Sequence, residues 1–91
     1  MAFQIEDGRV YYENEQQEVL AEVTYSHLGG GVVDIDHTFV SPTLRGQGIA
    51  GQLMEALATD LRTNGLKATA SCSYAVAWLE KNRAAYADII A

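Results

Sequence analysis

The sequence has 91 residues, of which 48% are hydrophobic, and twelve acidic against six basic residues give a net charge of −6. This length fits one small domain over residues 1–91, without a linker or low-complexity run. The acidic excess disfavours nucleic acid as a partner, because phosphate contacts need clustered lysine and arginine.

Membrane, metal and disulfide scaffolds are also disfavoured. No apolar run approaches the roughly 18 residues of a membrane span, and the N-terminal "MAFQIEDG" lacks a basic region followed by an apolar stretch. Cys72 is the single cysteine and there are two histidines, which makes a poor metal-ligand set. We therefore expect a cytoplasmic protein with no membrane partner, no disulfide and no metal.

The first forty residues predict four strands. Phe3 and Ile5 alternate with polar residues, "DG" at 7–8 is typical of a hairpin turn into "RVYYE", and "ENEQ" predicts a turn into "EVLAEVTY". "SHLGGG" predicts a loose turn before a fourth strand, 32–40. In the absence of a bulge, one face of that strand carries an apolar row with a histidine: Val33, Ile35, His37 and Phe39.

From Gly46 the apolar period changes to that of a helix, and "NG" at 64–65 predicts its end. Its apolar stripe comprises Ile49, Leu53, Met54, Leu57, Ala58 and Leu61. "LKATASC" predicts a fifth strand, after which Ser73 is a candidate cap for a second helix. That helix has an apolar set of Val76, Trp78, Leu79 and Tyr86. Four strands, a helix, a strand and a helix predict an α+β fold with a mixed sheet, in which the crossover returns a parallel strand.

The glycine segment, residues 46–51, reads "GQGIAG" and matches G-x-G-x-x-G. A dinucleotide-binding turn also needs an acidic residue about 20 positions on, where Ser71 and Cys72 stand, and the Lys-Ser/Thr of a P-loop is absent. Two explanations remain. The small residues either expose a helix N-terminus to an anionic pyrophosphate, next to Arg45, or allow tight packing on the sheet.

"VSPTLRGQGIAGQLM" resembles the acetyl-coenzyme A signature of the general-control-type N-acetyltransferases, the GNAT superfamily. Arg45, Gly48 and Ala50 fill the pattern, and the order of elements extends the resemblance over roughly residues 18–91. The chain is more similar still to a small single-domain subgroup with "HT-x-V" before the glycines and "CSY" after the next strand. One departure is Trp78, near the position where larger relatives have a tyrosine that protonates the leaving thiolate.

The resemblance implies a mostly antiparallel sheet with a V-shaped split between strands 4 and 5, and two helices packed on it. It implies acetyl-coenzyme A as the acyl donor, with its pyrophosphate on the glycine segment and its pantetheine arm in the split. The implied cofactor-binding residues are Phe39, Val40, Arg45, Gly46, Gln47, Gly48, Ile49, Ala50, Gly51, Cys72 and Ser73.

The implied activity is transfer of an acetyl group to an amine of a small molecule or a protein. Cys72 either carries the acyl group, protonates the departing thiolate, or only packs, and His37 or a helix N-terminus would activate its thiol. The alternative function is a non-catalytic module that binds acyl-coenzyme A as a sensor or interacts with a partner protein. Neither the acceptor nor the oligomeric state follows from the sequence.

Overall fold

The computed structural model describes residues 2–91. Met1, which belongs to the predicted domain and to its N-terminal segment, lies outside the described residues. Five strands form one sheet in the order β1-β2-β3-β4-β5, with bounds Gln4–Glu6, Arg9–Glu13, Val19–Gly29, Val32–Val40 and Lys67–Ala70. The first four strands pair antiparallel, and β5 pairs parallel with β4. The predicted α+β fold with a mixed sheet is confirmed.

The β3–β4 hairpin differs from the predicted loose turn. β3 continues through Gly29, and only Gly30 and Gly31 remain between the two strands. Both have positive φ, 64° and 79°, which suits the two-residue turns that match the twist of a hairpin. "SHLG" is therefore strand, because two glycines suffice to reverse the chain.

Helix α1, Ile49–Thr63, lies across the sheet and buries the six apolar residues of the predicted stripe. Asn64 caps its C-terminal end, where its backbone N–H donates to the carbonyls of Arg62 and Asp60, and Gly65 follows with φ of 69°. Leu53, Leu57 and the neighbouring sheet residues belong to one buried cluster, which also includes residues of the second helix. Apolar burial at this interface fixes α1 on the sheet.

Helix α2 spans Ser73–Lys81. Ser73, the predicted cap, is the first residue of the helix, and Cys72 occupies the cap position. The buried residues of α2 are Ala75 and Leu79, whereas Val76, a member of the apolar set, is 44% exposed. Tyr86 belongs to a separate short helix, α3, Arg83–Tyr86. Ala75 and Leu79 are four residues apart and therefore lie on the same face of the helix, which is the face that reaches the core.

Both long helices pack on the same face of the sheet. The other face, called the open face below, is polar, and its β3–β5 part carries Thr24, Ser26, Asp34, Asp36, Thr69 and Ser71. Hydroxyl groups on this face donate to both carboxylates, at 2.5–2.8 Å. Within residues 2–91, no helix is long and apolar enough to cross a membrane.

Candidate active site

The glycine segment begins α1 with a left-handed backbone. Gly46 and Gly48 have φ of 82° and 72°, and Gly48 is the N-cap of the helix. Apart from its own chain neighbours, a Cβ at either position would find no atom of residues 2–91 within 4 Å. These two glycines therefore serve the backbone conformation and leave open space beside the helix N-terminus, whereas tight packing does not explain them.

Gly51 has a different environment, on the first turn of α1. A Cβ there would lie 3.9 Å from Oη of Tyr74 and 4.0 Å from Nε1 of Trp78, which are ordinary contact distances. Gly51 thus faces the start of α2, and the polar tips of two aromatic side chains converge on it.

A cavity of about 250 Å³ lies at this helix N-terminus. Its lining includes seven of the predicted cofactor-binding residues, and it is completed by two residues that the sequence analysis did not assign to binding, Leu44 and Tyr74. The seven are Val40, Arg45, Gly46, Gly48, Ile49, Ala50 and Gly51. Phe39, Gln47, Cys72 and Ser73 do not line this cavity.

The electrostatics of this cavity favour an anion. The first amides of a helix have no acceptor inside it, and here the first intrahelical bond runs from the Gln52 N–H to the Gly48 carbonyl. The first turn of α1 contains no acidic residue, although the chain carries a net charge of −6. Arg45 is exposed at the rim, with its Nε 3.4 Å from the Val40 carbonyl oxygen. The free helix amides and the Arg45 guanidinium therefore make this cavity favourable for an anion.

A larger cavity, of about 530 Å³, lies between β1 and α1 and is lined by Phe3, Ile5, Gln52, Glu55, Ala56, Thr59, Asp60 and Thr63. It holds none of the predicted site residues. Two carboxylates on its rim make it unsuited to phosphate, so that the smaller cavity is the better candidate.

The pairing between β4 and β5 stops at Ile35 and Ala70. The Ile35 carbonyl accepts from the N–H groups of both Ser71 and Cys72, at 3.1 and 3.2 Å, and the chain then turns into α2. Within residues 2–91, the remainder of β4, residues 36–40, pairs with β3 alone. The two parallel strands therefore diverge at their C-terminal ends, as the resemblance implies.

A β-bulge changes the faces of β4 at this point. Thr24 pairs with His37 but Tyr25 pairs with Ile35, so that Asp36 is an additional residue on β4. After it, His37 and Phe39 are exposed, whereas Thr38 is half-buried on the helix side. His37 and Phe39 are predicted to share the face of Val33 and Ile35 only in the absence of a bulge, and the bulge shifts the alternation by one residue.

Cys72 is half-buried at the cap position of α2, and its Sγ lies 3.5 Å from Oγ1 of Thr38. Burial acts to raise the pKa of the Cys72 thiol, but hydrogen bonds from the Thr38 hydroxyl and from the backbone amides of Ala75, Tyr74 and Thr38 outweigh it. The pKa consequently lies below its ordinary value, as expected for a cysteine at a helix N-terminus. Thr38, and not His37, is the β4 side chain beside this sulfur.

The described part of the chain offers no cluster of metal ligands. Among residues 2–91, no group of three histidine, cysteine, aspartate or glutamate side chains could hold a metal ion. Tyr74, which lines the cavity, has a phenol whose pKa is raised by burial.

Comparison with known proteins gives the family. Residues 9–89 match the family model described as GCN5-related N-acetyl-transferase. The NMR solution structure of a GCN5-like protein from Staphylococcus aureus is 36% identical with a TM-score of 0.80, over 99% of this chain and 87% of that chain. A search of curated proteins found no match.

More distant structures share the fold. Tetrahymena GCN5 has a TM-score of 0.66 at 10% identity, over 80% of this chain and 48% of that chain. The ribosomal-protein-S18-alanine N-acetyltransferase from Escherichia coli has a TM-score of 0.64 at 19% identity, over 86% of this chain and 53% of that chain. The chain spans about half the length of these two proteins.

Proposed function

Because this chain belongs to the GCN5-related N-acetyltransferase family, we propose that it transfers an acetyl group from acetyl-coenzyme A to an amine. One observation carries this proposal. The cavity at the start of α1 combines free helix amides, an arginine at its rim and glycines that leave the backbone bare, and Cys72 lies nearby at the start of α2.

The pyrophosphate group fits the residues present. In our proposal the amides from Gln47 to Gly51 hold it and the Arg45 guanidinium adds charge at the rim. The positive φ of Gly46 and Gly48, with open space beside both, supports this assignment, since an anion needs close approach to the backbone.

The pantetheine arm would follow β4 beyond Ile35, next to Phe39 and Val40, and end near Cys72 and Ser73. Support comes from the separation of β4 and β5, because residues 36–40 of β4 have a strand partner on one side only among the described residues. An extended ligand with amide groups pairs with such a strand as an added member of the sheet.

The bound cofactor supplies a thioester, whose carbonyl carbon is the electrophile. We assign Cys72 as the nucleophile, because a lowered thiol pKa favours the reactive thiolate over the proton donor. Cys72 would form a new C–S bond to the acetyl group as the bond to coenzyme A breaks, and coenzyme A leaves as its thiolate. Attack by the amine then returns the Cys72 thiolate and the amine loses a proton to solvent. Direct attack by the amine, with Cys72 as proton donor, is the alternative that the experiment separates.

The test is a steady-state transfer assay that detects free coenzyme A thiol against a panel of small amines and lysine peptides. Cys72→Ala should lower the rate on the order of a hundredfold or more while coenzyme A still raises the melting temperature. Cys72→Ser is the matched control for size, and it should be as inactive as Cys72→Ala because an unactivated hydroxyl is a poor nucleophile.

Three results would contradict these assignments. A melting temperature that saturating coenzyme A leaves unchanged removes the cofactor. Binding without acetylation of any amine in the panel favours the sensor function. Full turnover by Cys72→Ala removes the thiol from the mechanism. Intact-mass analysis after incubation with acetyl-coenzyme A alone distinguishes the two roles of the thiol, since only the nucleophile acquires an acetyl group on Cys72.

A further inference from the structure

The bulge in β4 is held by side chains of β3. The carboxylate of Asp36, the additional residue, accepts hydrogen bonds from Oγ1 of Thr24 at 2.5 Å and from Oγ of Ser26 at 2.7 Å. These two hydroxyl groups lie on the open face, on either side of Tyr25, and hold Asp36 on that face. A bulge pinned in this way has a fixed register, and the residues that follow it have fixed faces.

One consequence is the position of Thr38. Without the bulge, alternation from Val33 and Ile35 would direct residue 38 to the open face and His37 to the helix side. With it, Thr38 lies on the helix side with its Oγ1 3.5 Å from Sγ of Cys72. The contact joins residues 34 positions apart and spans the gap between the diverging strands.

We propose that Thr38 is a positioning residue for Cys72, whose hydroxyl donates a hydrogen bond to the sulfur and stabilises its thiolate. Towards a thiolate, which has no hydrogen, the hydroxyl is the only possible donor of this pair, and donation to a charged acceptor is stronger than to a neutral one. In this proposal the same contact holds the Cys72 side chain against β4.

No charged side chain of the described residues is among the causes that lower the pKa of the Cys72 thiol. β4, β5 and α2 surround Cys72, and their titratable groups include Asp34, His37 and Tyr74. The first two lie on the open face, no charge on any of the three is among the causes of the Cys72 pKa shift, and Tyr74 contributes through its backbone amide alone. The Thr38 hydroxyl is the largest of the contributions that lower it, ahead of the backbone amides of α2.

The experiment compares Thr38→Val with Thr38→Ser in the full chain. Valine keeps the shape and β-branching of threonine but has no hydroxyl, whereas serine keeps the hydroxyl and loses a methyl group. Because the chain has a single cysteine, the pH dependence of iodoacetamide alkylation reports Cys72 alone. No cofactor is needed for this measurement.

We expect Thr38→Val to move the midpoint of alkylation upward by about one pH unit, the size of effect that loss of one hydrogen bond to a charged group produces. Thr38→Ser should titrate within roughly 0.3 units of the wild type, since its hydroxyl remains available. Circular dichroism and melting temperature should show that both variants fold. A Thr38→Val midpoint equal to that of the wild type, or an equal shift in both variants, would overturn the role of Thr38.

This role rests on the proposed function, because a poised thiolate matters for transfer only if the sulfur reacts. The two can fail separately. If Thr38→Val shifts the alkylation midpoint and the alkaline limb of the transfer rate together, both stand. If the midpoint shifts but no amine is acetylated, the positioning role stands and the transferase proposal fails. If transfer is observed while the midpoint does not move, the positioning role is wrong.

Discussion

Ala50→Glu is the substitution that most directly separates anion binding from packing at the start of α1. Ala50 is in the first turn of the helix, follows the N-cap Gly48 by two residues, and lines the 250 Å³ cavity. A carboxylate there faces the same amides and helix dipole that would hold a pyrophosphate. Fold stability and coenzyme A affinity should therefore change in opposite directions.

The magnitudes follow from the charge and the position. An acidic residue in the first turn of a helix stabilises it by about 0.3–1 kcal/mol, which for a domain of this size raises the melting temperature by roughly 2–5 °C. Two like charges about 4 Å apart repel by about 1 kcal/mol in water and about 4 kcal/mol at an effective dielectric constant of 20. For an open cavity we take roughly 2 kcal/mol, or about a 30-fold loss of affinity.

Calorimetric titration with coenzyme A and thermal melts without ligand measure the two quantities. Ala50→Gln is the matched control, with the same shape and no charge, and should lose less than about threefold in affinity. The loss caused by glutamate should shrink as salt is raised, because screening weakens charge repulsion. Equal affinities for the Ala50→Glu and Ala50→Gln variants would refute phosphate binding at this helix N-terminus.

Other substitutions test the fold and its charges. Gly48→Ala should destabilise by about 1 kcal/mol because of its positive φ, whereas Gly51→Ala should be neutral or stabilising by up to about 1 kcal/mol, as measured by urea unfolding. Leu53→Ala, at a fully buried position, should cost about 2–5 kcal/mol in the same measurement, and Val76→Ala, at a position 44% exposed, should cost less than about 0.5 kcal/mol. Hydrogen bonds lower the pKa of Asp36, so that its contribution to stability is present above the unfolded-state pKa and disappears as pH falls through the folded-state value. Asp36→Asn should therefore lose less stability than the wild type in thermal melts between about pH 5 and pH 3.

Long periodic elements of this fold could be predicted from the sequence. The apolar stripe of α1 repeats over 15 residues, and every predicted member is buried. The helix can cover the sheet with apolar side chains only by turning this face towards it. Short elements were less predictable. In α2, of nine residues, the apolar pattern is too short to fix the buried face, and Ala75 is buried where Val76 is 44% exposed.

The candidate site likewise has one part that could be predicted from the sequence and one part that could not. The glycine segment could be assigned to a helix N-terminus because its residues are contiguous, and most of them line one cavity. The side chains around Cys72 could not be predicted, because their positions depend on a bulge in β4 that is held by the hydroxyl groups of Thr24 and Ser26 on β3. Alternation along β4 gives His37 the wrong face, and no pattern within that strand marks the additional residue. Roles for His37 as a base and for Ser73 in cofactor binding stay predictions.

The bulge and the divergence of β4 and β5 have a common origin at Ile35. β5 separates there because one carbonyl accepts from both Ser71 and Cys72, and Asp36, the next residue of β4, is the additional one. A bulge increases the local twist of its strand and shifts the alternation of the residues that follow it. The same irregularity therefore directs Thr38 across the gap to the sulfur. Deleting Asp36 would remove the additional residue and restore regular alternation with His37 still on the open face and Thr38 still on the helix side, so that the pH midpoint of Cys72 alkylation should change little. A large upward shift of that midpoint would show that the bulge itself, and not only the face of Thr38, sets the reactivity of the thiol.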